Sequence, residues 1–169
     1  MDTESVTAYL GLGSNLGDRR KNLAQALKIL AQHVRVTKYS SVYDTAPQEN
    51  PDQSRFLNIV ICAETVLAPK LLLDLAKDIE ANMGRNPYPA NSPRPIDIDI
   101  LFYGTLIWQS PGLIIPHPKL ALRSFVLIPL AEIAPHLKHP ITNETAQDMI
   151  EALYLKEREI IKYEEKTDV

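Results

Sequence analysis

Cysteine is almost missing. Cys62 is the only one in 169 residues, so no intrachain disulfide can form. Its setting, Ile59-Val60-Ile61-Cys62-Ala63, is that of a small buried hydrophobe rather than a nucleophile. A basic excess is also missing: 18 Lys and Arg face 21 Asp and Glu, for a net charge of -3. That balance argues against a nucleic-acid binder relying on a broad basic face, although a few convergent arginines could still hold an anion locally. No apolar run reaches membrane-spanning length. Met1-Asp2-Thr3-Glu4 has neither a basic nor an apolar leader, so no signal peptide is expected and the cytoplasm is the expected location. There is no internal repeat and no flexible linker. What is present is 45% hydrophobic residues with an ordinary 23% charged. That is enough for one compact domain over residues 1–169, with a charged tail from about 156 that is expected to fray; a monomer is expected.

Hydrophobic periodicity outlines the elements. Thr7 to Leu12 predicts a first strand ending in Gly11-Leu12-Gly13-Ser14-Asn15-Leu16-Gly17. Leu23, Leu27, Leu30 and Ala31 predict a helix from about Arg19 to Gln32. Val36 to Tyr43 predicts a second strand. A polar loop, Ala46 to Gln53, precedes Phe56 to Thr65, whose almost continuous apolar character predicts a central strand. Pro69 suits the first turn of a helix with the stripe Leu71, Leu72, Leu75, Ile79 and Met83, stopped by Gly84. Asn86 to Pro95 carries four prolines in ten residues and predicts a stiffened surface loop. Ile96 to Tyr103 predicts a strand, with Gly104-Thr105 turning it into a hairpin with a short strand near Leu106 to Trp108. Arg123 to Ile133 and Ala146 to Tyr154 predict two helices. The order is that of an α+β, ferredoxin-like split βαβ sandwich with an added hairpin and C-terminal helices.

The strongest chemical signal is Arg94-Pro95-Ile96-Asp97-Ile98-Asp99-Ile100. Side chains alternate along a strand, so Asp97 and Asp99 share one face, roughly 7 Å apart at Cα. Two carboxylates there repel unless they are solvated or bridged by cations. The pair therefore fits either a solvated polar face or a site for Mg²⁺, which accepts a few carboxylates and leaves room for phosphates. Aspartate disfavours strands, and Arg94 adds a phosphate-binding guanidinium. The glycine-rich turn Gly11 to Gly17 lacks the Gly-Lys-Ser/Thr of a P-loop and the spacing of a dinucleotide fingerprint. Phe56 and Asn58 share a strand face, which suits either a flat heterocycle or a core Phe beside a buried Asn. Pro116-His117-Pro118 followed by Arg123 and Phe125 offers further phosphate and ring contacts.

In this order and spacing, these segments resemble the 6-hydroxymethyl-7,8-dihydropterin pyrophosphokinase family from about Tyr9 to Pro140. The matching segments are the Gly11–Gly17 turn, Tyr43 with Thr45 and Pro47, Phe56-Leu57-Asn58, and Ile79-Glu80 with Gly84-Arg85. Pro93-Arg94 with Asp97-Ile98-Asp99, and Pro116-His117 with Arg123 and Phe125, complete the set. The resemblance implies that Asp97 and Asp99 hold two Mg²⁺ ions bridging the ATP phosphates, and that Arg94 and Arg85 join them in catalysis. It implies that Glu80, Arg94, His117 and Arg123 contact ATP. Phe56 and Phe125 would sandwich the pterin, and Asn58 would read its edge with help near Thr45 and Pro47. The chain departs from the family at Ala90-Asn91-Ser92, and at Gly112 and Ile114, where some members have Arg and Thr. Phe56 stands in place of a Tyr found in some members.

The activity so implied is transfer of pyrophosphate from ATP to the pterin hydroxymethyl group, releasing AMP, in folate synthesis. Alternatives are a nucleotidyltransferase, or a non-catalytic ferredoxin-like module for RNA or a small effector. A nucleotidyltransferase places its Asp pair close after the Gly-Ser turn, whereas Gly13-Ser14 and Asp97 are far apart here. An RNA binder of this kind needs a basic, aromatic sheet face, and none is evident.

Overall fold

The computed structural model describes residues 4–47, 52–85, 92–157 and 166–167. The predicted 86–95 loop lies mostly outside them, as does most of the charged tail. The mixed α/β chain is built on an antiparallel sheet. In chain order the elements are β1 (Val6–Ser14), α1 (Arg19–Leu30), β2 (Arg35–Tyr39), β3 (Val42–Thr45), β4 (Phe56–Thr65), α2 (Pro69–Asn82) and β5 (Asp97–Tyr103). Then follow β6 (Trp108–Ser110), β7 (Leu113–Ile115), a 3-10 turn at Leu120–Leu122, α3 (Ser124–Ile133), α4 (Ala146–Glu157) and β8 (Lys166–Thr167). The strands run β5-β1-β4-β3-β8, with β2 also paired to β4.

β4 is central and its sequence says why. Leu57, Ile59, Ile61 and Ala63 face one cluster with Leu23, Ala26 and Leu30 of α1 and Leu72, Ala76 and Ile79 of α2. On the other side Val60 packs with Leu101, Phe102, Val126, Leu127 and Leu130, closed by Met149 and Leu153 of α4. A strand buried on both faces has no polar register to alternate with, hence its near-continuous apolar run.

The expected single strand over Val36 to Tyr43 is two. The break falls at Ser40-Ser41, where Ser40 N–H donates to Val60 O at 2.9 Å and Ser40 Oγ accepts from Val60 N–H at 2.9 Å. The hydroxyl takes a place in the ladder that a carbonyl would fill, so pairing continues while the strand breaks. The hairpin is also displaced from its expected place. Gly104 (φ 54) does turn the chain, but the paired strands are β6 and β7, in a sheet of their own. They join through Pro111-Gly112, with Ser110 opposite Leu113 and Gly112 at φ 82. Proline followed by a positive-φ glycine is the sequence of a type II turn, with proline at its second position and glycine at its third. Lys166–Thr167 of the tail pairs with Val42 and Tyr43.

β1 lies between β4 and β5 and sets the register of the site. Gly13 is opposite Asn58 and also opposite Asp97. One extra residue, Leu101, enters β5 between the pairs Tyr9–Phe102 and Leu10–Ile100. Before this bulge Ile98 and Ile100 face the α1/α2 side, leaving Asp97 and Asp99 on the opposite face. Gly13 allows the close approach. A Cβ added there would lie 2.7 Å from Asn58 Oδ1 and 3.5 Å from Phe56 Cδ1, whereas one added at Gly11 would meet only Leu101 side-chain carbons at 3.6 Å or more. Gly13→Ala is therefore expected to cost about 1–3 kcal/mol through overpacking, and Gly11→Ala far less. Urea unfolding of the two variants checks this, and equal midpoints would remove the packing explanation.

Candidate active site

The open end of the sheet forms a cavity of about 230 Å³ lined by Thr45, Ala46, Pro47, Gln53, Phe56, Lys77, Arg85, Arg94, Asp97, Asp99, His117, Arg123 and Phe125. Ten of the twelve residues singled out from the sequence are on this wall. The other two, Asn58 and Glu80, are buried behind it at 6% and 3% exposure.

Asp97 is held by guanidinium groups. Arg85 Nη1 is 2.7 Å from Asp97 Oδ1, and Arg94 Nε is 3.8 Å from Asp97 Oδ2. Asp99 has a looser partner, Arg123 Nη1 at 3.9 Å. Burial, followed by repulsion from Asp97, pushes the Asp99 carboxyl up to about 7, with Arg123 pulling the other way. Two carboxylates side by side, one of them poorly compensated, create a demand for positive charge at the cavity wall.

Glu80 organises this wall from behind. Its Oε2 accepts from Ile98 N–H at 2.8 Å and lies 2.9 Å from Arg85 Nη1, while Oε1 is 3.5 Å from Lys77 Nζ. Burial raises its pKa, partly countered by the Ile98 N–H and Arg85. Gly84 (φ 91) ends α2 so that Arg85 N–H returns to Glu80 O at 3.0 Å. The guanidinium is thereby set between two carboxylates. Burial acts against the charge of Arg85, but Asp97 and Glu80 overcome it and raise its pKa.

The ring side is equally constrained. Asn58 Nδ2 donates to Thr45 Oγ1 at 2.6 Å, joining β4 to β3. Arg94 Cζ lies 5.4 Å from the Phe56 ring centroid, and Arg123 Cζ lies 5.5 Å from that of Phe125. Each aromatic ring thus has a guanidinium beside it, a cation–π arrangement that joins the apolar and cationic halves of the wall. His117 follows a cis Ile115-Pro116 bond. Its backbone N–H donates to Leu101 O at 3.0 Å, and its Nδ1 accepts from Lys119 N–H at 3.2 Å. In the neutral ring the proton is consequently on Nε2.

A model of the 7,8-dihydro-6-hydroxymethylpterin-pyrophosphokinase family matches residues 9–135. The chain belongs to this family. It is 44% identical over 144 residues to the 2-amino-4-hydroxy-6-hydroxymethyldihydropteridine pyrophosphokinase of Bacillus subtilis, covering 83% of this chain and 86% of that one. It is also 44% identical over 137 residues to the mitochondrial folate synthesis bifunctional protein of Arabidopsis thaliana, covering 80% of this chain and 24% of that one. The fold is shared with a solved HPPK-DHPS of Plasmodium falciparum at a TM-score of 0.77 and 18% identity, covering 98% of this chain and 49% of that one.

Within the pyrophosphokinase frame, three wall residues were not evident from the sequence. Ala46 and Gln53 are in a loop that periodicity describes only as polar. Lys77 is on an exposed helix position, one turn before Glu80, and its side chain is 59% exposed. A lysine there is indistinguishable from a solubilising one until α2 is docked beside β5. Glu80→Ala would leave the Ile98 N–H and Arg85 without this acceptor, at an expected cost of about 1–3 kcal/mol. Glu80→Gln, which keeps an acceptor for Ile98, is expected to lose less. Denaturant midpoints decide, and an Ala variant as stable as the parent would make the tether dispensable.

Proposed function

We propose that this chain transfers pyrophosphate from ATP to the hydroxymethyl group of 6-hydroxymethyl-7,8-dihydropterin, releasing AMP, as a step of folate synthesis. The observation carrying this is the convergence of two rings, two carboxylates and three arginines on one cavity of a pyrophosphokinase-family fold. The strand order supports a ferredoxin-like split βαβ sheet as the scaffold. We also assign the chain as a monomer and place it in the cytoplasm.

Phe56 and Phe125 supply ring faces for the flat pterin. Asn58, its amide set by Thr45, reads the pterin edge, and the chain at Thr45 and Pro47 borders it. Arg85, Arg94 and Arg123 hold phosphate oxygens, and the Nε2–H of His117 is a further donor. A second cavity of about 260 Å³ shares Lys77, Asp99 and His117 with the first and is otherwise lined largely by Leu73, Ile98, Ile100, Leu113 and Ile114. That composition suits the nucleoside end of ATP, placing its phosphates toward Asp99. Gly112 and Ile114, two of the departures from the family pattern, line this second cavity. The base is therefore held here by apolar contact at positions where some members offer Arg and Thr.

Asp97 and Asp99 fit a divalent-cation site. Among the described residues no three His, Cys, Asp or Glu side chains gather to hold an ion by themselves. A cation here would take its other ligands from water and phosphates, as Mg²⁺ prefers. When bound, Mg²⁺ supplies charge neutralisation for the phosphates. The residues of the chain orient the pterin alcohol toward the β-phosphorus of ATP. A bond forms from the hydroxymethyl oxygen to that phosphorus, and the α–β bridging oxygen leaves with AMP. Their contribution is positioning and fixed positive charge.

Incubation with ATP, Mg²⁺ and the dihydropterin is expected to release AMP; release of pyrophosphate would indicate a nucleotidyltransferase. Asp97→Ala and Asp99→Ala should each lower turnover by about a thousandfold or more with the fold retained, and chelation should stop the parent enzyme. Near-normal turnover in either variant would refute the cation assignment.

A further inference from the structure

Two amide side chains behind the cavity wall are joined in an order that leaves one donor over. Asn15, only 3% exposed, follows β1. Its backbone N–H donates to Arg94 O at 3.1 Å, and Arg94 N–H donates back to Asn15 Oδ1 at 2.8 Å. A backbone N–H can only donate, so Oδ1 is fixed as the acceptor and Nδ2 as the donor. Nδ2 then donates to Gln53 Oε1 at 2.9 Å and lies 3.4 Å from Ser54 O. The Gln53 amide is oriented in turn: Oε1 is engaged and Nε2 is left. Gln53 Nε2 is buried with no hydrogen-bond partner among the described residues, and Gln53 lines the cavity. A buried amide donor without an acceptor carries a desolvation penalty that a ligand can relieve. The loop bearing it runs between β3 and β4, and its two ends carry Thr45 and Phe56, so Gln53 stands on the ring side of the cavity wall.

We propose that Gln53 is a further substrate-binding residue whose Nε2 donates to an acceptor atom of the heterocyclic substrate, and that Asn15 is the positioning residue that orients this donor and ties it to Arg94. The inference rests on the pyrophosphokinase function proposed above. Glycine-rich turns at strand ends are usually credited to the backbone, but here a side chain within the turn, that of Asn15, performs the task. Two consecutive hydrogen bonds link a ring contact to the segment carrying a phosphate-binding arginine.

The test is calorimetric binding of the dihydropterin, and separately of a non-hydrolysable ATP analogue with Mg²⁺, to the full chain and to Gln53→Leu, Gln53→Glu, Asn15→Asp and the Asn15→Asp/Gln53→Leu pair. Gln53→Leu is expected to weaken pterin binding about five- to tenfold and to leave analogue binding within about twofold. Gln53→Glu, which replaces the donor with an acceptor, should lose more. Asn15→Asp keeps an acceptor for Arg94 N–H but offers Gln53 no donor, so the Gln53 amide can turn its nitrogen to the new carboxylate. It should reproduce the Gln53→Leu loss, and the double variant should lose no more than either single one. Unchanged pterin affinity in Gln53→Leu, equal loss for both ligands, or additive losses in the double variant would each overturn the proposal. If Asn15→Asp does not fold, the two Gln53 variants decide. Parent protein that releases no AMP overturns the functional reading and this inference with it. Parent turnover with unaltered pterin affinity in Gln53→Leu overturns this inference alone.

Discussion

Glu80 is withdrawn from solvent, yet its carboxylate reaches three groups at once: the Ile98 N–H of β5, the Arg85 guanidinium and, more distantly, Lys77. Ile98 lies between the two aspartates, so an acceptor fixed to α2 also fixes the strand that presents them. Arg85 in turn bridges Glu80 and Asp97. A buried carboxylate is costly unless it is hydrogen-bonded and paired, and here both conditions are met by groups belonging to the site. Residues outside the cavity thus determine the charge pattern inside it.

The site is overfilled with like charge in two places. Asp97 and Asp99 repel each other on one strand face, and Arg85, Arg94 and Arg123 share one cavity. The arginines partly neutralise the aspartates, but burial, and then repulsion from Asp97, still raise the Asp99 pKa to about 7 against the pull of Arg123 at 3.9 Å. Such an arrangement suits a wall that receives both a polyanion and cations. Ligand charges of either sign could replace interactions that Arg85, Arg94 and Arg123 make with Glu80, Asp97 and Asp99. Fixed charge of this kind lowers the reorganisation that a charged ligand would require.

Much of the site was legible in the sequence because its chemistry is carried by local patterns. The alternation Asp97-Ile98-Asp99 places both carboxylates on one face wherever the strand is put, and Phe56 with Asn58 behaves in the same way. Their order along the chain was enough to indicate the family. Less legible were features that depend on what lies across from a residue. The strand break at Ser40 requires Val60 as a partner. The hairpin moved to Pro111-Gly112 because that turn closes a register that Gly104-Thr105 does not. Lys77 and Gln53 are ordinary polar residues until α2 and the β3–β4 loop are docked.

By itself the sequence determined the alternating faces, the helical stripes and the motif series of the pyrophosphokinase family, because each depends only on spacing along the chain. Tertiary structure alone decided which of the singled-out residues touch the cavity and which stand behind it. Asn58 and Glu80 carry their hydrogen-bond partners on other elements: Thr45 on β3 for the one, Ile98 on β5 for the other. It also decided that Asn15, within a glycine-rich turn, joins Gln53 to Arg94 across 38 and 79 positions of sequence. A hydrogen bond acts over about 3 Å, and only folding brings residues so distant along the chain within that reach.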